Sequence, residues 1–354
     1  MTNVFLFIAG DNNLDMESEE ELKGILSLEV ESSYRVFIEI DRYKTYVSHE
    51  KMKRKSKRYV VDSNGVKKFF VEEKNTGDYR TLRSFIKWGN SRCPEESNYL
   101  ILWGHGYGWE GCAHDYSQND LLELDELKKA LEIRSNKGFE LVGFDMCQMA
   151  TIEVSYAVRN FTDFMIASQN IEPPEGWDYN SLFKQHDSPL NFSKQILDGY
   201  LDQCRLKKIK DFTLSIAHLK NINKFMDLFN NWCLMVLTNE MLRNYFIKLR
   251  AELIDFKYHN YVDLKYFIQK MSNKENDSFR IASMDLVSFL DGVLLKTISG
   301  NVYKHATGLS IYFPLDEIPQ TTFVKYGKTE FGKDAENWVG LLNEYQKQFK
   351  LKRL

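Results

Sequence analysis

Proline is scarce in this chain, 6 in 354 residues, and no Pro/Gly/Ser-rich stretch divides it. That argues against two units on a free linker, and the absence of an internal repeat argues against a solenoid. The 5 cysteines, Cys93, Cys112, Cys147, Cys204 and Cys233, are odd in number and irregularly spaced. Such a set does not make a disulfide framework in a long chain and fits a reducing compartment, or no need for bridges. No apolar run approaches the roughly 18 residues that span a bilayer, so no membrane partner is expected. A formal net charge of -3 argues against a generic nucleic-acid binder. The one basic cluster, Lys51 to Arg58, reads as a solvated surface loop. Met1-Thr2-Asn3 supplies no basic lead to the short apolar run Val4–Ala9, which stops at Gly10-Asp11-Asn12-Asn13. This start reads as a first strand rather than a signal peptide, so a cytoplasmic protein is expected, or a secreted one if a leader has been removed.

Apolar residues are present in strength, 43% hydrophobic and 14% aromatic, ample for a large core. Short apolar runs alternate with amphipathic segments through the first half. Val4–Ala9, Tyr34–Ile40, Tyr99–Trp103, Phe139–Phe144 and Asp163–Ala167 read as strands. Helices are expected over Leu14–Val30, up to about Trp88, over Glu126–Arg134 with Asp125 as cap, and over Met149–Asn160. Ser63-Asn64-Gly65 marks a hairpin. This β-α-β-α order implies an α/β fold, a mostly parallel sheet with helices on both faces. The second half is largely helical, with late strands at Phe212–Ile216 and Leu309–Phe313. The expected division is a core over residues 1–205 and a helical extension over 206–354, one continuous unit. Phe246, Phe256, Tyr258, Tyr261, Tyr266 and Phe267 are expected to pack this extension onto the sheet.

Two strand ends carry chemistry. Tyr99–Trp103 runs into Gly104-His105-Gly106, and Phe139–Phe144 runs into Asp145-Met146-Cys147. Reactive groups gather at the carboxyl ends of strands in open parallel sheets. If the two strands are neighbours, His105 and Cys147 share an edge. His105 would take the thiol proton and later protonate a leaving amine. The N–H groups of Gly106 and Cys147 would face a developing oxyanion. A helix beginning just after Cys147 would lower its thiol pKa. On pattern alone, Cys147 also reads as a small buried hydrophobe and His105 as a loop residue.

The same residues resemble the clostripain-like cysteine peptidases, relatives of caspases, gingipains, legumain and separase. The resemblance runs through Asp11-Asn12-Asn13-Leu14, Asn75-Thr76-Gly77-Asp78 and Leu100-Ile101-Leu102-Trp103-Gly104-His105-Gly106-Tyr107-Gly108-Trp109. It continues in Phe144-Asp145-Met146-Cys147-Gln148-Met149 with Glu153, Ala167-Ser168-Gln169, Gly176-Trp177-Asp178-Tyr179, Tyr261-Val262-Asp263-Leu264 and Thr307–Pro314. It covers nearly the whole length, and the His and Cys segments are its specific parts. It implies a caspase-like three-layer sandwich, a His105–Cys147 dyad and hydrolysis of peptide bonds after Arg or Lys, with a peptide or protein as substrate; separately, a monomer is expected. The chemistry needs no cofactor and no metal. Calcium enters by resemblance only, since no EF-hand loop is present.

Cleavage after a basic residue needs a carboxylate in a pocket. Asp145, two residues before Cys147, is the leading candidate, and a cap or loop-orienting role is its alternative. Glu172, Glu175 and Asp178 follow the Asp163–Ala167 strand, and Trp177 would line the pocket or stack on a guanidinium. Some relatives are cut at a basic residue between the catalytic His and Cys. Here Glu110 to Leu127 holds no Lys or Arg, and Lys128 lies in a predicted helix. Activity as a single chain is therefore expected, or activation elsewhere, such as in Lys51–Arg58. Three rival readings stand beside the peptidase: a metal site from His105, Cys112, His114 and Cys147, a non-catalytic interaction protein on the same fold, and a Cys-dependent amidase or transpeptidase acting on a non-protein substrate.

Overall fold

The computed structural model describes residues 1–43, 56–93, 97–133, 138–174, 176–183, 186–258, 260–272 and 277–351. The chain begins with β1 (Thr2–Gly10), α1 (Asp15–Leu26) and β2 (Tyr34–Arg42). The hairpin β3 (Lys57–Asp62) and β4 (Gly65–Phe70) follows, then α2 (Tyr79–Asn90) and β5 (Ser97–Gly104). A small hairpin, β6 (Cys112–Asp115) and β7 (Asp120–Leu122), precedes α3 (Leu124–Leu131), β8 (Phe139–Met146), α4 (Ile152–Val158) and β9 (Thr162–Ala167). Next come α5 (Pro189–Leu206), β10 (Thr213–His218), α6 (Ile222–Thr238), α7 (Glu240–Leu249), β11 (Tyr261–Asp263) and α8 (Leu264–Ser272). The chain closes with α9 (Asp277–Val293), β12 (Leu294–Ser299), β13 (Ser310–Tyr312), α10 (Gln320–Lys328), α11 (Glu330–Asp334) and α12 (Glu336–Leu351).

Nine strands form one sheet in the order β12-β10-β9-β8-β5-β1-β2-β3-β4. The five central strands are parallel, and antiparallel strands extend the sheet on both sides. Both faces of the central strands are covered. Val4, Leu6 and Ile8 of β1 pack on one side with residues of α1 and α5. Phe5, Phe7 and Ala9 pack on the other with α2, α3 and the second-half helices. The same alternation in β5, Tyr99, Ile101 and Trp103 against Leu100 and Leu102, makes each strand apolar throughout. Burying one such Phe or Leu contributes about 1.5–3 kcal/mol.

Most predicted elements form, with informative exceptions. Asp125 sits in the first turn of α3, where Glu123 holds the cap position. The helix expected from Met149 starts only at Ile152, capped by the Thr151 side chain, which accepts the Val154 N–H at 3.1 Å. Tertiary pairing explains the delay. Thr151 bridges Ser310 of β13, and Ser310 donates its N–H to the Ala150 carbonyl, so this stretch is drawn out as an extended segment. Helix α5 carries its own signals, Ser188 as cap and Pro189 in the first turn, which the sequence reading passed over. Of the expected packing aromatics, Phe246, Phe256, Tyr261 and Phe267 are buried, whereas Tyr258 is exposed on a turn. The described end of the basic cluster is not a solvated loop. Lys51–Lys55 lie outside the described residues, and Arg58 is buried in β3, paired with Glu39 and 5.1 Å from the Trp88 ring.

The second half is tied to the first through Asp263. Its carboxylate accepts the Thr307 N–H (2.6 Å), the Thr307 hydroxyl (2.7 Å), the Tyr266 N–H (2.9 Å) and Gln169 Nε2 (3.0 Å). Removing it strands several buried donors at once, each costing about 1–3 kcal/mol. Asp263→Ala is therefore expected to lower unfolding stability by about 3 kcal/mol, read as the midpoint of urea denaturation. Asp263→Asn should recover part of that loss. Wild-type stability in Asp263→Ala would show that the network is dispensable.

Candidate active site

Strands β5 and β8 are parallel neighbours, with Gly104 beside Met146 and Trp103 beside Asp145. His105 and Cys147 are each the next residue beyond that last pair. The two loops are in contact: a Cβ on Gly106 would come within 2.4 Å of the Cys147 carbonyl oxygen, so only glycine lets them approach this closely. The Gly106 N–H faces away from β6, and it has no hydrogen-bond partner among the described residues. It is an open donor on the loop that meets the Cys147 backbone.

His105 is half-buried, and its Nε2 lies 2.7 Å from Asn13 Oδ1. An amide oxygen only accepts, so Nε2 carries hydrogen and Nδ1 carries the lone pair of the neutral ring. The Tyr116 hydroxyl donates to the same Oδ1 at 2.9 Å, and the Tyr116 ring stacks on the imidazole. Burial and the neighbouring His114 hold His105 below its ordinary pKa. Asn13 and Tyr116 were not singled out from the sequence as site residues. The signal was there in part, since Asn13 follows β1, which lies beside β5 in the same parallel sheet.

Cys147 is partly exposed, and the other four cysteines are buried. Its Sγ accepts the Glu172 N–H at 3.3 Å. Burial pushes the thiol above its usual value, and Asp145 pushes the same way. The Glu172 N–H, its own N–H and Lys257 only partly offset this. The expected helix-dipole effect is absent because α4 begins too far along the chain, and that field fades within a turn. Gln148, next to the nucleophile candidate, adopts a left-handed φ of 57°. It is clamped there by its N–H on the Asn170 carbonyl and its Nε2 on the Lys257 carbonyl.

Asp145 is buried and its Oδ2 accepts the Trp177 N–H (3.3 Å) and the Tyr179 hydroxyl (3.0 Å). It orients the loop after β9 and caps no helix. Gly176, at φ +59°, brings that loop against the carboxylate. The Glu172 carboxyl faces Asp145, and burial with the Asp145 charge holds Glu172 well above the usual carboxylate range. Burial raises the Asp145 carboxyl as well, so the two acids form a coupled pair in which Glu172 is displaced the further. Trp177 is buried, donates Nε1–H to Glu172 (3.4 Å) and lies over Gly143 of β8. Asp178 lines a cleft of about 440 Å³ with Glu21, Trp177, Tyr179 and Asp202. Glu21, pushed up to about 8 by burial, Asp145 and Asp178, is a further acid that sequence reasoning missed, because α1 comes from the far end of the chain. Glu175 lies outside the described residues.

The zinc-like set does not converge. Cys112 is sealed in the apolar core with its thiol pushed up to about 12, and His114 Nδ1 meets the Tyr107 hydroxyl. Among the described residues, His105, Cys112, His114 and Cys147 form no group of ligand atoms around one point. No helix among the described residues is long and apolar enough to cross a membrane.

The two pKa directions make the resting pair a neutral imidazole and a neutral thiol. Iodoacetamide is therefore expected to alkylate Cys147 about tenfold faster per pH unit between pH 6 and 8, following the thiolate fraction. Mass spectrometry of the modified chain, with Cys147→Ser as blank, measures this. A rate flat down to pH 5 would establish a resting thiolate–imidazolium pair instead.

The model of the clostripain family matches residues 6–347. Clostripain of Hathewaya histolytica is 23% identical over 77% of this chain and 70% of its own length. A secreted C11 cysteine protease from Bacteroides thetaiotaomicron, solved with an irreversible peptide inhibitor, superposes with a TM-score of 0.74 at 17% identity, covering 95% of this chain and 99% of that one. An inactive zymogen C11 protease from Parabacteroides distasonis gives 0.69 at 18% identity, covering 94% and 97%. These two structures share the caspase-like fold with this chain. With its sequence matched almost end to end, the chain belongs to the clostripain family of cysteine peptidases.

Proposed function

We propose that this peptidase is an endopeptidase that cleaves after Arg or Lys, with Cys147 as nucleophile and His105 as general base. The observation that carries the reading is the β5–β8 register, which sets both residues one step beyond paired strand ends. His105 Nδ1 takes the thiol proton as Sγ attacks the scissile carbonyl carbon. The oxyanion that forms is met by the open Gly106 N–H and the Cys147 N–H. Collapse of the tetrahedral intermediate breaks the C–N bond, and His105 returns the proton to the leaving amine. The resulting thioester is hydrolysed by water, with His105 again as base. Asn13 and Tyr116 act through His105: they hold its ring and fix which nitrogen is basic.

Asp145 and Glu172 supply the preference for a cation. A buried carboxyl pair that loses one proton presents one negative charge, which a guanidinium or ammonium neutralises. Trp177 forms the wall and Asp178 adds charge at its edge. The absence of Lys and Arg between Glu110 and Leu127 supports activity as a single chain.

Fluorogenic peptides ending in Arg, Lys or Asp test both parts. Cys147→Ala is expected to abolish turnover while keeping the wild-type melting temperature, and full activity there would refute the nucleophile. Asp145→Asn preserves the shape of the loop contacts. It should lower kcat/KM for Arg and Lys peptides about 10- to 100-fold, as expected for losing a charged hydrogen-bonding partner. An unchanged Arg/Lys preference would remove Asp145 from that role.

Asn13→Ala is expected to reduce kcat about 10- to 100-fold with little change in KM, the signature of a lost orienting contact. A change confined to KM would place Asn13 in substrate binding instead.

A further inference from the structure

The loop that follows β5 is gripped by a side chain from the second half of the chain. Tyr261 opens β11 and is buried, at 3% exposure. Its hydroxyl donates to the Tyr107 carbonyl at 3.0 Å and accepts the Trp109 N–H at 3.0 Å. A phenol has one hydrogen to give, and here it goes to the carbonyl, since the Trp109 N–H can only donate. Trp109 sits in the short helical turn Gly108–Glu110, where a backbone N–H at the start finds no partner inside the helix. Gly108 stands between the two contacts at φ +61°, and a Cβ there would come within 2.1 Å of the Tyr261 hydroxyl oxygen. Any other residue at that position would push the hydroxyl out. The Trp109 ring packs on Tyr312 and Tyr326, with centroids 5.4 and 5.1 Å away. Tyr312 is the β13 partner of Tyr261 in register, so the small β11–β13 sheet holds the loop by its backbone and by its ring.

His105 and Gly106 lie between two fixed points of this loop. On the near side Gly104 is in register with Met146, and the His105 carbonyl accepts the Ala113 N–H at 2.9 Å. On the far side the Tyr107–Trp109 limb depends on the Tyr261 hydroxyl. Without it the Tyr107 carbonyl keeps only the longer Glu110 N–H contact, at 3.4 Å, and the Trp109 N–H loses its acceptor. A buried N–H without a partner is an arrangement that folded chains avoid, so the limb would turn away to find one. Burial first, and then the neighbouring Glu153, hold the phenol well above its ordinary pKa, so it stays protonated in neutral solution.

We propose that Tyr261 is a positioning residue for the reaction, its hydroxyl clamping the His105–Trp109 loop so that the Gly106 N–H stands where the oxyanion forms. The inference rests on the roles given above to His105, Cys147 and Gly106. Tyr261 acts only through the loop and moves no proton. The same short strand also reaches the other loop of the dyad. Asp263, two residues along β11, accepts from Gln169 Nε2, and the adjoining Asn170 carbonyl accepts the Gln148 N–H next to Cys147. One three-residue strand of the second half thus braces the base and the nucleophile together.

Tyr261→Phe removes the hydroxyl and keeps the ring. It is assayed in the full chain with a fluorogenic peptide that the wild type cleaves, with rates counted per Cys147 alkylated by iodoacetamide. Deleting an oxyanion donor outright costs about 10²–10³ in kcat, so loosening one is expected to cost about tenfold, with KM within about twofold. A peptide aldehyde of the same sequence forms a tetrahedral adduct with the thiol, and its affinity should fall by about the same factor. The pH profile of Cys147 alkylation needs no oxyanion donor and should not move, whereas a general loosening of the site would shift it. Tyr312→Phe, the same deletion on the paired strand, should keep the wild-type kcat. The wild type supplies a check that needs no variant: hydrogen exchange across residues 105–112 should be slow at the Trp109 amide, and exchange as fast as in an exposed loop overturns the clamp. Wild-type kcat in Tyr261→Phe overturns it too, as does a loss confined to KM, an unchanged aldehyde affinity or a shifted alkylation profile. An active Cys147→Ala would refute the dyad itself, while an inactive Cys147→Ala beside a fully active Tyr261→Phe would refute only the clamp.

Discussion

The parallel hydrogen-bonded register between β5 and β8 decides where everything else at the active edge must stand. Parallel strands point their carboxyl ends the same way, so two loops that leave them at matched positions meet. Gly104 and Met146 are the last matched pair, and the next residue on each side is His105 or Cys147. A slip by one residue would turn one of the two to the opposite face of the sheet. The register is held by cores on both faces, where Leu100 and Leu102 lie among the residues of one core and Ile101 and Trp103 among those of the other.

Around that edge, supports come from distant parts of the chain. Asn13, after β1, sets the imidazole. The segment Ser168–Asn170 sets the Cys loop, through the Asn170 carbonyl on the Gln148 N–H. Gln169 is itself held by Asp263, Ser310 and Gly308 of the second half. The late strand β13 also delays α4 by pairing with Thr151. The helical second half therefore shapes the environment of the thiol.

The central strands and the His–Cys adjacency were legible because unbroken apolar runs identify buried parallel strands, and their ends are marked by glycine and acid. The start of α4 was not, since local propensity cannot anticipate a bridge to a residue as distant as Ser310. The loop-orienting alternative for Asp145 was legible, but not its donors Trp177 and Tyr179. The role of Asn13 depends on which strands neighbour which. That order is set by packing, and no local pattern encodes it. Arg58 was hidden for a related reason: inside a basic run, its burial depends on Glu39 of the adjacent strand.

Burial at Cys147 has a consequence for the lifetime of the protein. Sulfur is oxidised to sulfenic and then irreversible acids chiefly as the thiolate, at a rate set by thiolate character and exposure. A thiol held protonated and partly covered by the Glu172 segment offers peroxides little of the reactive form. Deprotonation coupled to attack on a seated substrate would confine the reactive anion to the moment when a carbonyl is present to receive it. The same covering that slows unproductive ionisation would thereby preserve the sulfur between turnovers.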